Sequence, residues 1–179
     1  GERALRDERG FSLLELVVVV VIVSLLALAA IDRLLKLRFE AERAGVQSVV
    51  TALKSALYIE FAAAAARGQL DRMAEAPGSN PMARLTETPE RYAGEFYGAG
   101  AAGFEPGSWY FDTRDRVLVY VVRFPEQFSS PLAGTPRARF AVAADFDDLD
   151  RDGRFDAGRD ALRGLKLVAV EPFSWKGAR

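Results

Sequence analysis

Three aspartates at alternate positions, Asp148, Asp150 and Asp152, run directly into Gly153, and a further one follows at Asp156. Calcium takes roughly six to eight hard oxygen ligands, and the spacing D-x-D-x-D-G-x-x-D supplies carboxylates around a tight turn. The pattern predicts side-chain ligands from Asp148, Asp150 and Asp152, a sharp bend at Gly153, and a backbone ligand from the Arg154 carbonyl. Asp156 would bind directly or through water. An EF-hand would carry a glutamate where this chain has Arg159, with Asp160 one place later. The flanks read as strands, so this is not a true EF-hand, and Asp160 stands as the last candidate ligand. The competing reading is a solvated turn whose acids pair with Arg151, Arg154 and Arg159. Calcium is the one cofactor the sequence predicts.

Other chemistry is sharply limited. The chain has no histidine and no cysteine, which removes Ser-His-Asp catalysis, cysteine nucleophiles, thiolate metal sites and disulfides. Outside the aspartate loop no pair of acids converges for general acid–base work, so no enzyme is expected. The formal net charge of −1 offers no basic stripe for nucleic acid.

One more carboxylate stands out. Glu15 lies inside an apolar run, and from Leu16 to Ile31 no charge follows and only Ser24 is polar. A carboxylate at the centre of a spanning helix costs about 2.5–3.5 kcal/mol on insertion scales, and less near the interface. It calls for a partner. If the chain is cut between Gly10 and Phe11, the new Phe11 amine lies one helical turn from Glu15. That amine pairs with Glu15 in the same chain or with the carboxylate of a staggered neighbour, and such a pair acts as a registry device.

The elements that must position these groups follow from periodicity. Residues 1–10 are a short polar leader. Residues 11–31 are long enough, as a helix, to cross a bilayer core. Over 32–67 the helical pattern continues but becomes amphipathic. Val46, Val49, Val50, Leu53, Leu57, Phe61 and Ala64 recur at spacings of three and four, and Arg43, Gln47, Thr51, Lys54 and Tyr58 fall opposite. One helix from Phe11 to about Arg67 is expected, with Gly45 its weakest point and Gly68 its C-cap. Residues 68–107 read as a connecting loop with a short helix near Gln69 to Ala74. Residues 108–179 read as about four antiparallel strands, holding the acidic loop between the last two. The expected fold class is therefore α+β: a long N-terminal helix packed by its outer half on an antiparallel sheet. Trp109, Tyr110, Phe111, Tyr120 and Phe124 are read as cross-strand core, and no role is assigned to Trp175.

The stretch RG followed by FSLLELVVVVVIVSLL resembles the class III signal of type IV pilins and type II secretion pseudopilins. The NPM, GSWYFD and VLVYVVRF stretches are similar, more loosely, to minor-pilin-like proteins. The resemblance implies cleavage after Gly10 by a prepilin peptidase, N-methylation of Phe11 and an assembly role for Glu15. It also implies a bacterial inner-membrane, single-pass protein with its C-terminal part in the periplasm. The partners implied are sibling pilins or pseudopilins and an inner-membrane assembly platform, within a periplasmic or extracellular filament. The absence of cysteine and of a mid-span proline leans toward a minor pilin or pseudopilin over a major adhesive pilin. Charge counting around the span does not set the topology. Two plainer readings of the N-terminus are an uncleaved signal anchor and a secretory signal cut after Ala27-Leu28-Ala29. From another class, a membrane-anchored, calcium-dependent binding module that does not polymerise predicts that Glu15 is dispensable.

Overall fold

The computed structural model describes residues 11–176. Two compact units meet at Glu40 and Ala41, and one helix, α1 (Leu13–Ala66), contributes to both. The helix starts where its caps put it. Ser12 is the N-cap: its Oγ accepts the Glu15 N–H at 3.2 Å, and its carbonyl accepts the Leu16 N–H. Ser12 and Glu15 thus carry the S-x-x-E spacing of a capping box. The end is set as cleanly. Gly68 has φ +66, the Gln69 N–H reaches back to the Ala64 carbonyl, and the Gly68 N–H reaches the Ala65 carbonyl. That is the Schellman arrangement, which needs a left-handed residue where Gly68 stands.

Within the first unit the side chains from Leu13 to Leu37 stand exposed, and the helix is long and apolar enough to cross a membrane. Between Leu16 and Ile31 the one polar side chain, Ser24, is satisfied internally by donating to the Val20 carbonyl at 2.7 Å. Lys36 pairs with Asp32 one turn away at 2.8 Å, where the apolar run has ended.

The second unit is an α+β domain. Its sheet contains β1 (Tyr92–Phe96), β2 (Trp109–Asp112), β3 (Val117–Val121), β5 (Arg137–Asp147) and β6 (Ala161–Ala169), in the order β1-β2-β3-β5-β6. Two short strands, β4 (Phe128–Ser129) and β7 (Ser174–Trp175), form a separate pair. The expectation of about four antiparallel strands is corrected in count and direction. β1 arises in the segment read as loop and runs parallel to β2. Its sequence YAGEF, with a glycine at its centre and no β-branched residue, hides it from a strand search, and the 3-10 turn at Ala101–Gly103 lies in the crossover. A parallel pair needs about a dozen residues of connection, which Tyr97 to Ser108 provide. The short helix expected near residue 70 is a 3-10 turn, Leu70–Glu75.

Helix and sheet meet along the anticipated stripe. Val46, Val50, Leu53, Leu57 and Ala64 are buried on α1. Val49 packs against the same core, which includes Trp109, Phe111, Leu118, Tyr120 and Phe140. Trp109 lies opposite Tyr120 in register, ring centres 4.8 Å apart, so the aromatic cluster is core. The reverse face of β2 and β3 is buried as well. Tyr110, Val117, Val119 and Val121 form a second cluster under Ala99, Ala101 and Phe104. Phe104 stacks on Tyr110 at 3.9 Å. The small-residue run GAGAAG therefore covers the sheet where a larger loop would stand off.

Between helix and sheet, Asn80 caps the turn of Pro81 and Met82, both buried, and accepts the Met82 N–H at 3.0 Å. Its amide also donates to the Tyr92 hydroxyl and to Glu95, each at 2.7 Å. Arg84 in the same turn pairs with Glu60 of α1.

Candidate functional site

The two candidate sites occupy different units. At the start of α1, Phe11 is exposed and Glu15 lies in the first turn. A carboxylate there is favoured by the helix dipole. The capping geometry adds a local reason for Glu15 that spacing alone did not bring out: its own N–H is held by Ser12. Gly10, the residue before the expected cut, lies outside the described residues.

The second candidate is the β5–β6 connection. The structure brings together carboxylate oxygens of Asp148, Asp150 and Asp152, all within 4.8 Å of one another. The backbone wraps them tightly. Asp148 accepts the Arg151 N–H at 2.6 Å and the Gly153 N–H at 2.8 Å. Asp152 accepts the Arg154 N–H at 2.7 Å. Gly153, at φ +76, supplies the predicted bend, and Arg151 also takes a left-handed conformation, at φ 62. Desolvation holds the Asp150 carboxyl above its ordinary 3.8; a hydrogen bond from the Asp152 backbone opposes it, and the charges of Asp152, Asp160 and Asp148 add to it. Three hard oxygens converging at a site that resists a further negative charge are a donor set suited to calcium.

Asp156 and Asp160 fall outside that trio. Asp160 closes the loop instead, accepting the Leu149 N–H at 3.0 Å and the Asp156 N–H at 2.8 Å. Of the three arginines of the competing reading, only Arg159 pairs with a loop acid among the described residues, at 3.8 Å from Asp150. Arg163 and Lys166, on β6, take Asp147 and Asp145 at 3.0 and 2.9 Å.

One structural carboxylate went unread in the sequence. Glu42, on α1, accepts the Tyr120 hydroxyl at 2.8 Å, the Arg123 N–H at 2.6 Å and the Phe124 N–H at 3.1 Å. It terminates β3 and ties it to the helix. Burial first, and then Glu42 beside it, push the Tyr120 hydroxyl far above its ordinary 10.0. Nothing local marks Glu42, because its partners are about eighty residues away.

Comparison with known proteins bears on the N-terminal candidate. Residues 5–31 match the family model described as the prokaryotic N-terminal methylation motif. The match contains Gly10, Phe11 and Glu15. The chain therefore carries a type IV pilin-like prepilin signal, the substrate signature of a prepilin peptidase. No curated protein and no solved structure matches the chain. The signal and the apolar half of α1 together are consistent with a single-pass membrane anchor.

Proposed function

We propose that this chain is a minor pilin or pseudopilin, a structural subunit of a type IV pilus or type II secretion filament. The methylation-motif match at residues 5–31 carries the reading. Prepilin peptidase cuts between Gly10 and Phe11 and methylates the exposed Phe11 amine. Subunits wait in the inner membrane with the sheet domain in the periplasm, and an assembly platform draws them with sibling pilins into a filament. Apolar packing of α1 helices supplies cohesion, and Glu15 with the Phe11 amine of a neighbour sets the stagger. The test is the mass and first residue of the mature protein. Methylated Phe11 supports the reading; an intact leader, or an N-terminus at Ala30, overturns it.

The convergent aspartate oxygens favour a second assignment within the same subunit. Asp148, Asp150 and Asp152, with the Arg154 carbonyl and Asp156, hold a calcium ion that ties down the β5–β6 connection, and Asp160 braces the loop from behind. Bound calcium supplies the charge that offsets the clustered carboxylates. Thermal unfolding of the full chain in calcium and in chelator decides this: a higher melting temperature with calcium is expected, and an unchanged one removes the assignment.

A further inference from the structure

Asp152 and Gly153 form the one aspartate–glycine pair in the chain, and the single asparagine, Asn80, precedes Pro81, which offers no N–H. An aspartyl peptide rearranges when the nitrogen of the next residue attacks the side-chain carboxyl carbon. A glycine in that next position lets the two atoms approach, because no Cβ stands between them. Both residues are exposed, so water reaches them. Such a dipeptide reacts slowly in any chain; what differs here is how the loop holds its groups.

The nitrogen that must attack is already bonded to a base. The Gly153 N–H donates to Asp148 Oδ2 at 2.8 Å, within reach for proton transfer. The carbon under attack is folded toward it: Asp152 Oδ1 accepts the Arg154 N–H at 2.7 Å, an Asx-turn that lays the carboxyl over the Asp152–Gly153 peptide. Asp150 and Arg151 repeat the arrangement. The Arg151 N–H donates to Asp148 at 2.6 Å, and Asp150 accepts the Asp152 N–H at 3.3 Å. Arg151, however, carries the Cβ that Gly153 lacks, so the glycine decides which of the two peptides reacts.

We propose that the Asp152–Gly153 peptide of the folded chain isomerises spontaneously, with Asp148 as its general base. The Gly153 nitrogen bonds to Cγ of the protonated Asp152 carboxyl while Asp148 takes the N–H proton. That proton passes to the departing hydroxyl, which leaves as water and closes a succinimide ring. A water then opens the ring and balances the one lost. Breaking the bond from the Gly153 nitrogen to Cγ restores aspartate. Breaking the bond from that nitrogen to the Asp152 main-chain carbonyl carbon gives isoaspartate, of unchanged mass. Isoaspartate routes the main chain through Cβ, so the bonds made by the Gly153 and Arg154 N–H groups no longer fit and the loop is lastingly altered.

The experiment ages the full chain in detergent with chelator at neutral pH, beside the same chain unfolded in urea. Isoaspartate is read by peptide mapping and by labelling with an isoaspartyl methyltransferase. The folded chain is expected to accumulate it at Asp152 at least about tenfold faster than the unfolded chain, with little at Asp150. Asp148→Asn should bring the folded rate down to the unfolded one. A folded chain that reacts no faster than the unfolded one, isoaspartate formed mainly at another aspartate, or a folded Asp148→Asn as fast as the parent overturns the inference. The comparison of folded with unfolded chain needs no variant, so it decides even where Asp148→Asn does not fold. Added calcium should slow the reaction by holding both carboxylates, an arm that rests on the metal assignment above. Failure of that assignment shows separately, as a melting temperature indifferent to calcium, and leaves the chelator result standing.

Discussion

A single carboxylate does different work depending on what surrounds it. Glu42 satisfies three donors at the end of β3, and removing it strands the buried Tyr120 hydroxyl. Glu42→Ala is expected to destabilise the chain by about 1–3 kcal/mol, read by denaturant unfolding. Tyr120 also predicts an alkaline limit. Its folded value is raised above the ordinary 10.0, so its contribution is complete below that pH and is lost as pH rises toward the folded value. Tyr120→Phe should flatten the loss of stability above pH 10.0. Asp150 is also raised, with a different consequence. Without metal, its contribution is present below 3.8 and is lost as pH rises through the higher folded value. If calcium binds there as proposed, protons compete with it, so binding should weaken on acidification before an ordinary aspartate would titrate, measurable by calorimetry across pH.

At the scale of elements, α1 is decided by its ends and by one stripe. Leu57 is fully buried and Ile59, two residues on, is 65% exposed. Leu57→Ala should cost about 2–5 kcal/mol, whereas Ile59→Ala should stay within about 0.5 kcal/mol. Gly45 is helical, and a Cβ there meets nothing within 4 Å, so Gly45→Ala should stabilise the helix by about 0.5–1 kcal/mol. Gly68 is the opposite case. Its space is open but its φ is +66, and alanine there should cost about 1 kcal/mol. A pair of unfolding curves, Gly45→Ala against Gly68→Ala, checks that signs differ for backbone reasons alone.

At the scale of the whole molecule, the N-terminal signal and the sheet domain make separable demands. Glu15→Val removes the one acidic group from the apolar stretch of α1, so the variant should insert at least as well as the parent. On the assembly role proposed for Glu15, it should nevertheless fail to enter sedimentable filaments, because no neighbour's amine has a carboxylate to pair with. Assembly by Glu15→Val equal to that of the parent would place the registry elsewhere. The acidic loop belongs to the other unit, so its variants should leave the proposed cleavage between Gly10 and Phe11 unchanged.

Much of this was readable from local pattern. The span of apolar residues, the three-and-four spacing from Val46 to Ala64, Gly68 after the alanine run and the alternating aspartates each encode a local rule, and helix caps, burial stripes and tight turns obey local rules. The S-x-x-E spacing of Ser12 and Glu15 is equally local. What no stretch encodes is pairing across distance. Parallel β1, the clasp of Glu42 on β3, and a groove built from α1, β5, β6 and the segment around Trp175 all depend on which segments become neighbours. That choice is made by the free energy of the assembled core, and no window of sequence contains it.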